Sequence, residues 1–114
     1  MDVYQPSEKD EIDIKQFVLK KQVDFLTVPC VRKPEEIQNV KEKLGIEGAH
    51  IRILAKIENH VGVENFEAIL AESDGIIINR KTLSIELPAE KVFIAQKWMT
   101  WRANLASKTV IVSS

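Results

Sequence analysis

The chain has 114 residues, 45% hydrophobic and 29% charged with a net charge of −1, which allows one globular domain burying about two thirds of its unfolded surface. The near balance of charge disfavours nucleic acid or an anionic lipid surface as a partner, and no apolar run has the ~20 residues needed to cross a bilayer. One cysteine, Cys30, cannot close an internal disulfide, and the opening MDVYQPSEKDEID lacks the basic-then-apolar plan of a signal peptide, so a reducing, cytoplasmic setting is expected.

Ser7 precedes Glu8, Asp10 and the apolar set Ile14, Phe17 and Val18. That i, i+3, i+4 spacing predicts a helix with a serine cap, and Lys20 and Lys21 suit its C-terminal end. Residues 23–28 read as a short strand stopped by Pro29, which has no N–H to give a ladder. Pro34 in a first turn, Glu35 and Glu36 after it, Ile37, Val40 and Leu44 on one face and Gly45 as a stop predict a second helix. From Ile51 the chain alternates. Ile51, Ile53, Ala55 and Ile57 make one wholly apolar strand face, while Arg52, Leu54, Lys56 and Glu58 make the other.

Val63, Phe66 and Leu70 predict a third helix. Residues 75–78 form an apolar strand that ends in the polar cluster Asn79-Arg80-Lys81-Thr82. Pro88 introduces a long fourth helix with two apolar stripes: Val92, Ala95, Met99 and Ala103 on one side, Ile94, Trp98, Trp101 and Leu105 on the other. A helix apolar on two sides is expected to be well covered. Residues 109–112 read as the last strand.

The order αβαβαβαβ, with short connections and right-handed crossovers, makes consecutive strands neighbours in one parallel sheet. A complete eight-fold barrel takes about 250 residues. The expected fold class is therefore α/β: a partial (half) TIM barrel of four parallel strands alternating with helices, in a single domain over residues 1–114. Half a barrel has two raw edges, which leaves three outcomes: an open α/β sandwich, pairing with another copy, or a piece of something longer.

Lys56 and Glu58 project from one face at the C-terminal end of a strand, where parallel α/β folds place their sites. A mutually satisfied ion pair is the plain alternative. Lysine suits the stabilisation of developing enolate or phosphoryl charge, and glutamate is a hard oxygen ligand for magnesium. His60 has no accompanying ligand set and reads as a loop or helix-start residue. Cys30, with no adjacent base, reads as a small packed thiol. Trp98 and Trp101 read as core or interface, and Lys91 and Lys97 as the solvated side of their helix.

The pieces KIEN, ESDGI, IELPAEKVFIAQK and KTVIV, with weaker matches at SEKD (from Ser7) and VRK (from Val31), together resemble the catalytic barrel of pyruvate kinase over nearly the whole chain. The resemblance implies that the strands correspond to the fourth through seventh of that barrel. It implies the transfer of a phosphoryl group from phosphoenolpyruvate to ADP with Mg2+ and K+. By the same resemblance Lys56 matches the lysine that neutralises the transferring phosphoryl and enolate oxygens. Glu58 matches one of two carboxylates that hold the divalent metal, Arg80 the arginine of the ARGDLG motif, and Ser114 a substrate-contacting threonine.

Where that motif has glycine and then aspartate, this chain has Lys81 and Thr82. The aspartate is the second metal carboxylate, so one anion is lost and one cation gained. At about 4 Å and an effective dielectric near 20, each unit charge counts for on the order of 4 kcal/mol before screening. A degenerate metal site is the expectation, with Lys81 standing in for the metal charge as the alternative. No part of the chain resembles the first barrel strands, which supply potassium ligands and much of the nucleotide site, nor the lid or the allosteric domain. Phosphoryl transfer rests on many groups acting together. The expected protein is a truncated pseudoenzyme, inactive alone; the alternative is an interaction module pairing with itself or with a full-length pyruvate kinase.

Overall fold

A computed structural model describes residues 24–113; the helix predicted from Ser7 and the site residue Ser114 lie outside the described residues. Four strands, β1 (Phe25–Val28), β2 (Arg52–Ile57), β3 (Gly75–Asn79) and β4 (Thr109–Ser113), form one sheet in the order β1-β2-β3-β4, and every neighbouring pair is parallel. Helices fill the crossovers. The architecture is an open α/β sheet, a partial barrel, as the alternating pattern predicts.

The alternation in β2 fixes which way the sheet faces. Ile53, Ala55 and Ile57 join Ile76 and Ile78 of β3 in one continuous core with Ile37, Val40, Phe66, Ile69, Leu83, Val92, Met99 and Ala103 from the helices. Each fully buried side chain of this size contributes about 1.5–3 kcal/mol relative to exposure. The opposite face pairs Thr27 with Leu54, Leu54 with Gly75 and Gly75 with Thr109, then Lys56 with Ile77 and Ile77 with Ile111. A one-residue slip of register would exchange the two faces, so the pattern of β2 holds Lys56 on the side away from the helices.

Helix α1 (Pro34–Leu44) begins as its sequence predicts: the Glu36 carboxylate accepts from the Arg32 and Lys33 amides at 2.6 and 3.0 Å. It ends at Gly45, whose φ of 63° is the left-handed conformation that a side chain disfavours. The single helix expected after β2 is instead two, α2 (His60–Glu64) and α3 (Phe66–Glu72). Asn65 breaks it. Its Nδ2 donates to the Arg32 carbonyl at 2.7 Å, which ties the helix to the loop after β1, and the chain then redirects so that Phe66, Ile69 and Leu70 enter the core. A Cβ on Gly62 would lie 2.6 Å from the Val31 carbonyl oxygen, so α2 reaches that loop only with glycine there.

The polar cluster after β3 carries a helix that the sequence pattern does not predict. It opens helix α4 (Arg80–Glu86), with Asn79 as N-cap and Leu83 fully buried. Helix α5 (Ala89–Leu105) follows Pro88. Its first stripe packs as expected, with Val92, Met99 and Ala103 buried. The second does not: Ile94, Trp101 and Leu105 are each more than half exposed, and Trp98 is 38% exposed. Helix α5 lies over β3 and β4, at the edge of the sheet, so one side meets the core and the other faces outward.

Candidate functional site

The residues of interest gather where β1, β2 and β3 end. Lys56 is 4% exposed and shares its face with Leu54 and Ile77, both fully buried. Its backbone carbonyl accepts from the Val31 amide at 3.1 Å, so the loop after β1 is laced to β2 beside the lysine. Burial of an aliphatic stem among such neighbours is ordinary for lysine; a lysine so little exposed as a whole is not.

Glu58 stands one residue past β2. Its Oε2 accepts from the Cys30 backbone N–H at 2.8 Å, and its Oε1 accepts from Asn79 Nδ2 at 3.0 Å. One carboxylate therefore bridges the ends of three strands. The donors on both oxygens are neutral. Cys30 reaches this position with φ of 48°, a left-handed backbone that costs an L-residue about 1–2 kcal/mol.

Asn79 is the joint between β3 and α4. Its Oδ1 accepts from the Thr82 amide at 3.3 Å while its backbone carbonyl accepts from the Thr82 hydroxyl at 3.1 Å. The side chain thus caps a helix with its oxygen and holds Glu58 with its nitrogen. Thr82 is brought to Glu58 only through Asn79, and its hydroxyl proton is spent on a backbone carbonyl. Arg80 and Lys81, the next residues, are exposed. They line an open groove between α4 and α5 with Ser84, Ala89, Val92, Phe93 and Gln96; Lys56, Glu58 and Thr82 do not line it.

Among the polar groups at this mouth, Glu58 is the carboxylate, and each of its oxygens accepts one N–H. Magnesium favours anionic oxygens in near-octahedral order, and Thr82 would add only a neutral hydroxyl to the Glu58 carboxylate. Among the described residues no three or more His, Cys, Asp or Glu side chains are grouped so that they could hold a metal.

Cys30 differs from its sequence reading. The residue is exposed rather than packed, because the turn after β1 points it out of the core while its N–H serves Glu58. Partial desolvation pushes its thiol above the usual range, and the neighbouring Glu58, by charge and by hydrogen bonding, pushes it further. His60 starts α2, with its backbone N–H on Glu86 Oε1 at 3.1 Å and its ring beside Glu64 and Glu86 at 3.7 and 3.8 Å. Trp98 stacks edge-on against Phe66 with ring centroids 5.4 Å apart. It also lines a groove of 510 Å³ with His60, Val63, Glu64, Leu87, Lys91, Ile94 and Ala95.

Asn79 is the residue that reading the sequence missed. An asparagine after an apolar strand, four positions before a leucine, is a legible N-cap signal. Its contact with Glu58, 21 positions earlier, has no local signature.

Comparison with known proteins gives the following. The family described as pyruvate kinase, barrel domain, matches residues 1–114. Pyruvate kinase PKLR of Rattus norvegicus is 47% identical over 108 residues, covering 95% of this chain and 19% of the relative. The pyruvate kinase of Agaricus bisporus is 44% identical over 108 residues, covering 95% and 20%, and that of Leishmania mexicana 43% identical over 108 residues, covering 95% and 21%. The chain spans about one fifth of the length of these relatives.

Proposed function

This chain belongs to the pyruvate kinase family, and from that premise we propose that it is a catalytically silent portion of the family's barrel. In this reading the family reaction, phosphoryl transfer between phosphoenolpyruvate and ADP in glycolysis, is represented by Lys56 as the charge-neutralising cation. Glu58 is the remaining metal carboxylate, and Arg80, Lys81, Thr82 and Ser114 match the family's substrate-contacting positions in sequence. Mg2+ and K+ belong to the family's chemistry, and in this reading the chain binds them weakly or not at all. The proposed setting is the cytoplasm; among the described residues no helix is long and apolar enough to cross a membrane.

One observation carries the proposal. The carboxylate at the metal position already accepts on both oxygens, from Cys30 N–H and Asn79 Nδ2, and the second position offers a neutral hydroxyl, Thr82. The test is a coupled assay of pyruvate release from phosphoenolpyruvate and ADP with Mg2+ and K+. The expected rate equals the blank, unchanged in Lys56→Ala. Turnover that disappears in Lys56→Ala, or micromolar Mg2+ affinity that disappears in Glu58→Ala, would overturn it.

The uncovered side of α5 favours a second reading. Ile94 is 63%, Trp101 56% and Leu105 60% exposed on one helix face, an arrangement typical of an interaction surface. As an interaction module the chain would associate with itself or with an intact pyruvate kinase through this face and its open sheet edges. Light scattering with and without an intact homologue tests this: a complex lost in Trp101→Glu supports it, and a monomer in both conditions removes it.

A further inference from the structure

We propose that Asn79 is a positioning residue that, together with the Cys30 amide, holds Glu58 as a structural staple across the ends of β1, β2 and β3. The inference rests on the reading of Glu58 given above and deepens it by naming what has taken hold of that carboxylate.

The orientation of the Asn79 amide is decided by its surroundings. Its Oδ1 is committed to the Thr82 N–H at the start of α4, so the end that faces Glu58 is the NH2 group. Turned over, the amide would set its oxygen against a carboxylate oxygen and leave the Thr82 N–H without its cap. The helix cap and the Glu58 contact therefore enforce one another. The second oxygen is held from another strand end. Cys30 adopts a left-handed backbone that a non-glycine residue keeps only when its surroundings hold it there, and the consequence of that conformation is an N–H aimed 2.8 Å from Oε2. Both of these donors come from different strand ends, 28 positions before and 21 positions after Glu58 in the chain. Removing either frees the carboxylate to rotate about its terminal torsion, which is soft.

The staple is tested by amide hydrogen exchange on the full chain, with two substitutions that keep an oxygen for the α4 cap and discard the Nδ2 donor, Asn79→Ser and Asn79→Asp. In both, exchange at the Cys30 amide is expected to accelerate about tenfold, because the carboxylate that accepts from it is no longer held. The Ile53 amide, which donates to Asp74 Oδ2 at the other end of β2, is expected to keep its rate, a separation that general loosening would not produce. Cys30 protection unchanged in both variants would overturn the proposal, as would equal acceleration at Ile53. A separate Mg2+ titration of the unsubstituted chain, read as a rise in Tm lost in Glu58→Ala, would overturn the silent-site reading while the exchange result still decides the staple.

Discussion

The two ends of β2 are each fastened to a carboxylate, and the fastenings differ. At the N-terminal end Asp74 accepts from the Ile53 amide at 2.8 Å, returns its own N–H to the Ile53 carbonyl at 2.9 Å, and faces the Arg52 guanidinium at 3.6 Å. At the C-terminal end Glu58 accepts from a backbone amide and a side-chain amide, both neutral. The first is the stabilising end of a parallel strand and the second the end where sites form. Yet a carboxylate with both oxygens facing protein donors occurs at both. Location at the mouth of a barrel does not by itself distinguish a carboxylate that binds a ligand from one that ties strands together.

The largest effect tests what both ends stand on. Ile57, fully buried and next to Glu58, is expected to cost about 2–5 kcal/mol as Ile57→Ala, read by urea denaturation. A loss under about 1 kcal/mol would show that the mouth is not anchored through the core. Next, Asp74→Ala is expected to cost about 1–3 kcal/mol, because it strands the amide of buried Ile53 without an acceptor. Glu58→Ala is expected to cost less, about 0.5–1.5 kcal/mol, since the exposed Cys30 amide regains water. The reverse order would break the comparison.

A smaller effect concerns Cys30. With its thiol pushed up by desolvation and by Glu58, alkylation by iodoacetamide is expected to stay slow until the pH passes the ordinary thiol value of 9.0. Glu58→Gln should bring the reactive pH down. The folded thiol keeps its proton longer than the unfolded one, so this contribution to stability is whole below the ordinary value and is lost as pH rises above it. A profile unmoved in Glu58→Gln would separate Cys30 from the staple.

The smallest effect supplies a contrast on the surface. Glu67 pairs in two-pronged fashion with Arg102, Oε1 with Nε and Oε2 with NH2, the latter at 2.6 Å. The hydrogen-bonded guanidinium holds the Glu67 carboxyl below its ordinary 4.5. Its contribution is present above that value and fades as pH falls through the depressed one. The difference in Tm between the unsubstituted chain and Glu67→Gln should therefore be small, shrink with salt and vanish in acid. A difference that survives both would mean that the pair acts through packing.

Much of the scaffold is readable locally. Pro34, Glu35, Glu36 and Gly45 carry the start and stop of α1, and Pro88 marks the start of α5. The break at Asn65 is not readable, because it is made by a bond to the Arg32 carbonyl across the fold. Nor is the exposure of Ile94 and Trp101: periodicity reports that a stripe is apolar, not that something covers it. Helix α4 was legible in principle from the Asn79 cap, but the polar run Arg80-Lys81-Thr82 reads equally as a strand-end loop.

The sequence by itself determined the alternation of strands and helices and the side of β2 on which Lys56 lies, because a period of two and the strand's apolar partners admit one register. Only the tertiary structure decided what Glu58 does with its charge, since its donors arrive from the ends of two other strands and meet it only when the sheet is assembled.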